Sequence, residues 1–265
     1  MKKIILSTAI AAVLCVCATS SHAQFGRNLK NIGKSVTDAA ASTVGDLAAD
    51  VVADKVSVKV VEWMDQNNTV ALEDDAYYKR LAALVSPKYI NVDTKALNYK
   101  VYLNPEMNII GTTDGSIRIY SGMMDVLTDD ELLAVISLQI GHIVNNDVRD
   151  ALLKVASEDN ASKATAAQLE KVLSFSGEKI GTIVNEFLQV PFSEKENLAA
   201  DKYAYDLLKK NGANASALST VLYKFAELEA NDRKAETDET IEISPASKYT
   251  TVNSGNYKRA SLLAE

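Results

Sequence analysis

The centre of the chain carries the stretch Thr128–His142, which reads T-D-D-E-L-L-A-V-I-S-L-Q-I-G-H. Thr128 and Glu131 have the spacing of a capping box, in which two side chains satisfy free N–H groups at the start of a helix. The apolar residues that follow predict a helix that carries His142 near its end. The chain has two histidines, His22 and His142, and only His142 lies outside the first 23 residues.

The first 23 residues predict a secretory signal peptide. Lys2 and Lys3 form a positive start, and residues 4–18 form an apolar core that is too short to span a bilayer. Ser21-His22-Ala23 then offers a small-x-small cleavage site. We therefore expect cleavage after Ala23 by signal peptidase I and export to the periplasm.

The two cysteines, Cys15 and Cys17, both lie inside this signal. Lipoprotein processing at either one is not expected, because Leu14 and Val16 stand where that processing wants Gly, Ala or Ser. The mature chain would then have no disulfide and no thiolate ligand.

The charge of the mature chain excludes some classes of partner. Loss of Lys2 and Lys3 takes the formal net charge from -7 to -9. An acidic chain without a basic cluster is a poor nucleic-acid binder. Outside the signal, no apolar run approaches the ~20 residues of a membrane span, so we expect no transmembrane segment.

Three regions are predicted after the signal. Residues 24–70 form an N-terminal helical segment, residues 71–228 form the main domain, and residues 229–265 form an acidic loop and a tail that packs on that domain. Within residues 26–66, an apolar stripe near helical spacing either packs on the main body or docks a partner or the membrane surface. The stripe consists of Val44, Leu47, Val51, Val52 and Val56.

The main domain has the pattern of an α+β fold that is mostly helical. Three short strands, Tyr99–Leu103, Met107–Gly111 and Ser116–Tyr120, predict a small antiparallel meander. The helical segments are predicted over residues 74–85, 128–142, 146–158, 165–189, 193–210 and 215–228, and residues 230–244 are predicted as an exposed acidic loop. A second capping box, Ser193 with Glu196, opens the helix at 193.

The end of the central helix resembles a metal-binding string. Leu138-Gln139-Ile140-Gly141-His142 matches the pattern H-E-x-x-H, with Leu138 in place of the first histidine and Gln139 in place of the glutamate. In that pattern two histidines on one helix face bind zinc, and the glutamate activates the metal-bound water.

The surrounding sequence resembles a family of zinc metallopeptidases. This family includes the CAAX prenyl endopeptidases, the membrane heat-shock protease and the periplasmic proteases that watch over outer-membrane assembly. The resemblance rests on four ordered segments, Asn108–Gly122, Asp129–Ile136, Gly141–Asp147 and Phe192–Asp201. It implies a zincin-like domain of the gluzincin type and a role related to proteolysis and protein quality control.

The resemblance also assigns roles to positions in this chain. Leu138 and His142 take the two histidine-ligand positions, Asn197 takes the position of a third, glutamate ligand, and Gln139 takes the general-base position. Asp201 takes the position of a carboxylate that orients a ligand histidine without binding the metal itself, and in this chain we expect it to hydrogen-bond to a group on a neighbouring helix instead. Leucine has no lone pair to offer, and an amide does not accept a proton near neutral pH. His142 is thus the one surviving ligand-type residue, and we expect no zinc and no intact catalytic group.

The leading hypothesis is therefore a pseudopeptidase that binds unfolded or extended envelope polypeptides, or a partner protein, without cutting them. In this family the strand before the catalytic helix resembles an edge that pairs with an extended substrate, and backbone pairing needs no metal. Here the edge would consist of Met107, Asn108, Ile109, Ile110 and Gly111.

Two alternatives remain open at this point. An active zinc metalloendopeptidase could use a rebuilt site in which His142 joins Asp201, Asp147 or Glu196. Glu196 should face away from the site, because adjacent helix residues point about 100° apart, and its capping role with Ser193 explains it better. A loose match of residues 250–259 to a T-H-P segment would place Val252 at another lost histidine. A third hypothesis makes the protein a structural partner that docks through residues 26–66.

Overall fold

A three-stranded sheet and the long helix that follows it form the centre of the fold. The computed structural model describes residues 50–85, 87–93, 95–156, 166–235 and 255–264. The predicted signal peptide, residues 26–49 and Val252 lie outside these residues. The described residues belong to one compact unit, Ala48–Glu265.

Helices account for most of the described residues. They are α1 (50–66), α2 (Ala76–Val85), α3 (Ser121–Val126), α4 (Asp129–Val144), α5 (Asp147–Val155), α6 (Ala166–Val172), α7 (Gly177–Phe187), α8 (Glu194–Lys210), α9 (Ser216–Ala235) and α10 (Asn256–Ala264). The strands are β1 (Asn91–Val92), β2 (Lys95–Ala96), β3 (Asn98–Tyr102), β4 (Ile109–Gly111) and β5 (Ser116–Tyr120). The mostly helical α+β fold class is confirmed.

The main sheet is mixed, and the predicted antiparallel meander is wrong. The strand order is β3-β5-β4, with β5 in the centre. β4 pairs with β5 antiparallel, but β3 pairs with β5 in parallel. Alternating polarity predicts a strand and its buried face, but it carries no information about which strand lies beside it. The pattern of β5, whose five residues are all buried, fits its central position.

Two predicted helix boundaries also differ. The predicted helix over 165–189 is divided into α6 and α7, and at the break the Lys59 ammonium from α1 donates to the carbonyl oxygens of Leu173 at 2.6 Å and Phe175 at 2.8 Å. These bonds satisfy carbonyl groups that would otherwise need a continuing helix. Helix α9 runs on to Ala235, through residues predicted as loop, and residues 236–244 of that loop lie outside the described part.

Helix α1 packs on the main body, as the first of the two interpretations of the apolar stripe predicts. Val52 and Val56 are buried in the same core as the sheet and α4, whereas Val51 is exposed. The other two members of the stripe precede the described residues. Within the described part of the chain, no helix is both long and apolar enough to cross a membrane.

The close packing of α4 against α8 positions the site. A Cβ atom added to Gly141 would lie 2.8 Å from the carbonyl oxygen of Ala200 and 3.0 Å from its Cα. Only glycine allows the two backbones to approach this closely. The last turns of α4 and the first turns of α8 are therefore held side by side.

Candidate functional site

His142 lies in the last turn of α4 and is almost completely buried. The predicted capping box is present at the start of this helix: Glu131 accepts from the Thr128 N–H at 2.9 Å, and Thr128 Oγ1 accepts from the Glu131 N–H at 3.3 Å. His142 is only 1% exposed. Leu138, one turn earlier on the same helix face, is also buried.

A carboxylate and an aromatic ring hold the imidazole of His142. Its Nδ1 lies 2.8 Å from Oδ2 of Asp147, the first residue of α5. The ring of Phe192 stacks on it with a centroid distance of 4.0 Å and an interplanar angle of 16°. Asn146 has a left-handed backbone with φ of 66°, and this sharp turn between α4 and α5 brings Asp147 back toward His142. Nε2 of His142 is buried without a hydrogen-bond partner among the described residues.

Asn197 lies buried in the first turn of α8 with its amide orientation fixed. Its Nδ2 donates to the carbonyl oxygens of Phe192 at 3.0 Å and Ser193 at 3.1 Å. Because both amide hydrogens are used in this way, Oδ1 must point elsewhere. Oδ1 is buried and, within the described part, has no partner. Phe192 thus connects the two predicted ligand positions, since its ring contacts His142 and its carbonyl accepts from Asn197.

No hydrogen bond joins Asp201 to His142. Its carboxylate is bound by the Arg259 guanidinium of α10, with Nε 2.7 Å from Oδ2 and Nη2 2.5 Å from Oδ1. Both side chains are buried. The role of orienting a histidine, which the resemblance assigned to Asp201, is therefore filled at His142 by Asp147. Asp201 instead ties α8 to α10.

A cleft of about 200 Å³ opens beside β4 and is bordered by α4, α5 and the end of α7. Its walls combine apolar side chains with amide and carboxylate groups, and Gln139 is the residue that α4 contributes. Gln139 lies next to the edge strand, because a Cβ on Gly111 would lie 3.2 Å from its Oε1. The cleft is lined by Glu106, Asn108, Ile109, Ile110, Gly111, Tyr120, Gln139, Val148, Ala151, Asn185, Phe187, Leu188, Gln189, Val190 and Phe192.

Among the described residues, no strand pairs with the second edge of β4, and the residues of β4 line this cleft. The backbone carbonyl of Asn108 accepts from the Tyr120 N–H at 3.0 Å, and the backbone carbonyl of Ser116 accepts from the Thr112 N–H at 2.9 Å. In an antiparallel ladder, the residues between two such bonded positions turn their backbone groups away from the partner strand. Ile109 and Gly111 therefore direct theirs to the free edge. Of these groups, the Ile109 N–H is already bonded to the side chain of Asn108 at 2.9 Å.

The predicted edge residues lie together, although the paired part of the strand is shorter than predicted. β4 spans Ile109–Gly111, and Met107 and Asn108 precede it. Met107 is buried beneath the strand, whereas Asn108 lines the cleft. The structure thus brings Gln139 and the edge strand to one cleft, with His142 and Asn197 buried behind Phe192.

The residues at this site do not fit a catalytic zinc ion. Such an ion takes three protein ligands and keeps one open position. Among the described residues at these positions, the atoms free to act as ligands are His142 Nε2 and Asn197 Oδ1, and Leu138 offers none. Within the described ranges, no group of three His, Cys, Asp or Glu side chains is placed to hold a metal ion.

Three residues of the site have contacts that the sequence did not predict. From the sequence, Phe192 and Arg259 are only parts of family-like segments, and Asp147 is only a possible ligand. The spacing of five residues between His142 and Asp147 is the one available signal, since a helix end followed by a turn can return a side chain over that distance. Nothing local indicates the Asp201–Arg259 pair, whose members are 58 residues apart.

Comparison with known proteins gives consistent matches. A family model described as Peptidase family M48 matches residues 79–254. Metalloprotease LoiP of Escherichia coli (strain K12) is 32% identical over 196 residues, which cover 74% of this chain and 73% of that protein. Metalloprotease YcaL of the same organism is 28% identical over 222 residues, which cover 82% of this chain and 83% of that protein.

Proposed function

This chain belongs to peptidase family M48, and we propose that it is a catalytically inactive member that binds extended polypeptides without cutting them. The observation that carries the proposal is the set of residues at the family's site. Leu138, Gln139 and Asn197 stand where the family resemblance places a histidine ligand, the general base and a glutamate ligand. Leucine offers no ligand atom, a glutamine amide accepts no proton near neutral pH, and an asparagine oxygen is a weaker zinc ligand than a carboxylate.

The contacts of the nearby carboxylates support inactivity over a rebuilt metal site. Asp147 is bonded to His142 Nδ1, and Asp201 is paired with Arg259. Glu196 accepts from the Ser193 N–H at 2.6 Å in the second predicted capping box. Each candidate replacement ligand is thus already engaged, and we propose that the protein needs no zinc or other cofactor.

The packing also suits a site that works without metal. Leu138 fills apolar space in the core, and two neutral amides take positions where unpaired carboxylates would be costly to bury. The three substitutions are consistent with one another, since each removes a group whose burial the metal would have compensated.

The binding half of a peptidase mechanism is still supported. An extended chain can add to a free strand edge through backbone hydrogen bonds, and apolar pockets beside the edge take alternate side chains. Among the described residues β4 has such an edge, and the cleft beside it offers apolar side chains together with polar groups. We propose unfolded or extended polypeptides of the cell envelope as the ligand class, with a folded partner protein that offers an exposed strand as the second possibility.

Export to the periplasm completes the proposal. It is supported by the positive start, the short apolar core and the small-x-small site of residues 1–23. Mass spectrometry of the protein recovered from a periplasmic extract should show Gln24 as its first residue. Recovery of the full-length chain from the cytoplasmic fraction would contradict export.

The first test is the metal content of the mature protein, purified after growth in zinc and gentle dialysis, beside His142→Ala. We expect both proteins to hold less than about a tenth of an equivalent of zinc, since one imidazole and one amide make a weak site. Near-stoichiometric zinc that is lost in His142→Ala would establish a rebuilt metal site and overturn the inactive assignment.

The second test addresses binding. The probe is a fluorescein-labelled, end-blocked peptide of alternating Val and Thr, and the control is the same peptide with alternate backbone nitrogens methylated. Methylation keeps the side chains but removes the donors that pair with a strand edge. We expect the control to bind at least about tenfold more weakly in fluorescence anisotropy. Equal binding of both, or no binding of either, would contradict edge recognition.

A further inference from the structure

Gln139 has the position and the free hydrogen-bonding groups of a peptide-contacting residue. It is 5% exposed and lines the cleft, with Oε1 next to Gly111 of the free edge. Among the described residues, no hydrogen bond uses its carboxamide. Its carboxamide atoms are not fully enclosed by the fold, so they open into the cleft and are available to a bound ligand.

We propose that Gln139 is a peptide-positioning residue, whose carboxamide hydrogen-bonds to one backbone amide group of an extended polypeptide paired with β4. This inference rests on the proposed function, because it names a contact within the same bound complex. The occupant is an extended chain with unmodified backbone amides, and its side chains are uncharged where they enter the cleft.

The chemistry of the carboxamide matches this occupant. A carboxamide both donates and accepts, as a peptide group does, whereas a carboxylate only accepts. Glutamine at position 139 cannot activate water as glutamate would, but its N–H group can donate to a peptide carbonyl. Glu106 is the one acid in the cleft lining, and the remaining lining residues are neutral, which favours a neutral peptide backbone over a charged group.

Asn197 provides an internal comparison. Both Asn197 and Gln139 are amides at positions that the resemblance assigns to glutamates. The nitrogen of Asn197 is used within the fold, because it donates to the carbonyls of Phe192 and Ser193. Gln139 makes no such bond in the described part of the chain. A structural role thus accounts for Asn197 but not for Gln139.

Gly111 makes the contact sterically possible. It has no side chain between its backbone and Gln139, and an added Cβ would lie 3.0 Å from Ile143 Cδ1 as well as close to Oε1. A bound strand can then approach the edge at the place where Gln139 stands. The free N–H and carbonyl of Gly111 would pair with the ligand, while Gln139 would bind an adjacent amide of the same ligand strand.

The test is a double-mutant cycle between Gln139→Leu and the peptide backbone. The mature protein is titrated with the end-blocked Val/Thr peptide and with a set of its esters, in each of which one amide N–H is replaced by oxygen. An ester also weakens the adjacent carbonyl as an acceptor, so either direction of the Gln139 bond is detected. Gln139→Glu is measured alongside, and Gln66→Leu on the exposed face of α1 is the control for the same change of residue.

We expect Gln139→Leu and Gln139→Glu to weaken binding of the all-amide peptide by about fivefold to tenfold. One ester should weaken binding to the natural sequence and to Gln66→Leu by a similar factor, yet have almost no effect on Gln139→Leu. Thermal stability of Gln139→Leu should equal or exceed that of the natural sequence, because the residue has no internal bond to lose.

The outcomes separate this inference from the proposed function. Suppose that the natural sequence binds the peptide and that each ester weakens binding to Gln139→Leu by the same factor as binding to the natural sequence. The role of Gln139 is then overturned, and the peptide-binding function stands. If the natural sequence binds none of the peptides, the proposed function itself fails. Loss of stability in Gln139→Leu would assign the residue to the fold instead.

Discussion

At the scale of single residues, contacts with Asp147 and Phe192 give His142 a defined orientation. Asp147 fixes one ring nitrogen, Phe192 covers one face of the ring, and the residue is buried at the end of α4. These contacts account for the orientation of the histidine through packing and one hydrogen bond.

Removal of the Asp147 carboxylate should test this account. We expect Asp147→Ala to lower the free energy of unfolding by about 1–3 kcal/mol, because Nδ1 of His142 would be left buried without a partner. Asp147→Asn should lose less, since its amide oxygen can still accept from Nδ1. Urea unfolding followed by circular dichroism gives both values, and a stable Asp147→Ala would show that the bond contributes nothing to folding.

At the scale of elements, the site depends on how closely α4 approaches α8. The backbone of Ala200 leaves no space for a side chain on Gly141. This contact sets the separation of the two helices that carry His142 and Asn197, and small changes in it would be transmitted to the whole site.

Gly141→Ala should therefore destabilise the protein by about 1–3 kcal/mol, although alanine favours helices, because the helices must separate to admit the Cβ. Gly177→Ala is the matched control: its nearest contact would be Trp63 Cδ1 at 4.0 Å, an ordinary van der Waals distance. Thermal unfolding of both variants measures the difference. Equal melting temperatures would mean that the helix contact is easily relaxed.

A second link between elements joins α1 to the sheet through Asp65. Its carboxylate accepts from Arg118 of β5 at 2.8 Å, from Lys100 of β3 at 2.8 Å and from Tyr102 at 2.7 Å. Burial alone would raise the pKa of Asp65, but the bonds from Arg118, Lys100 and Tyr102 outweigh burial and lower its pKa to about 2. The ionised form is thus favoured by folding.

A lowered folded-state pKa contributes stability above the unfolded-state pKa and loses it as the pH falls toward the folded-state value. For Asp65, whose side chain is 19% exposed, the contribution at neutral pH is about 2 kcal/mol. We expect Asp65→Asn to lose this stability at pH 7, and the gap to the natural sequence should close between about pH 4 and pH 2. Urea unfolding across that range checks it, and a gap independent of pH would assign the loss to packing.

At the scale of the whole molecule, the chain belongs to the M48 family while its site residues differ from the family's catalytic pattern. We expect the triple variant Leu138→His, Gln139→Glu, Asn197→Glu to bind about one zinc ion, because it restores three ligands and a base on the existing backbone. Without zinc it should be less stable than the natural sequence, since it buries two carboxylates, and zinc should raise its melting temperature.

The control for this variant is the same triple change combined with His142→Ala, which removes one ligand and should abolish zinc binding. Metal analysis and thermal unfolding with and without zinc give the comparison, and casein cleavage would show whether activity returns as well. A folded triple variant that takes up no zinc would show that the backbone at the site has moved away from metal-binding geometry.

The sequence by itself was sufficient for the features that depend on short-range interactions and on residue type. The capping boxes at Thr128 and Ser193, the helices they open and the positions of the strands were confirmed, because caps and periodicity involve residues that are neighbours in the chain. Family membership was also confirmed, since ordered segments along the chain carry it. Leu138, Gln139 and Asn197 can be read from the sequence directly, whereas their assignment to the family's ligand and base positions stays a prediction.

Only the tertiary structure decided which groups meet across the chain. It placed β3 parallel to β5, paired Asp201 with Arg259, set Phe192 against His142, and left the Gln139 carboxamide beside Gly111. These contacts join residues far apart in sequence, and they result from packing of a whole core rather than from local preference. A residue pattern indicates which side chains must be buried or hydrogen-bonded. Their partners are set by the one fold that packs all the apolar groups and bonds the buried polar groups at the same time.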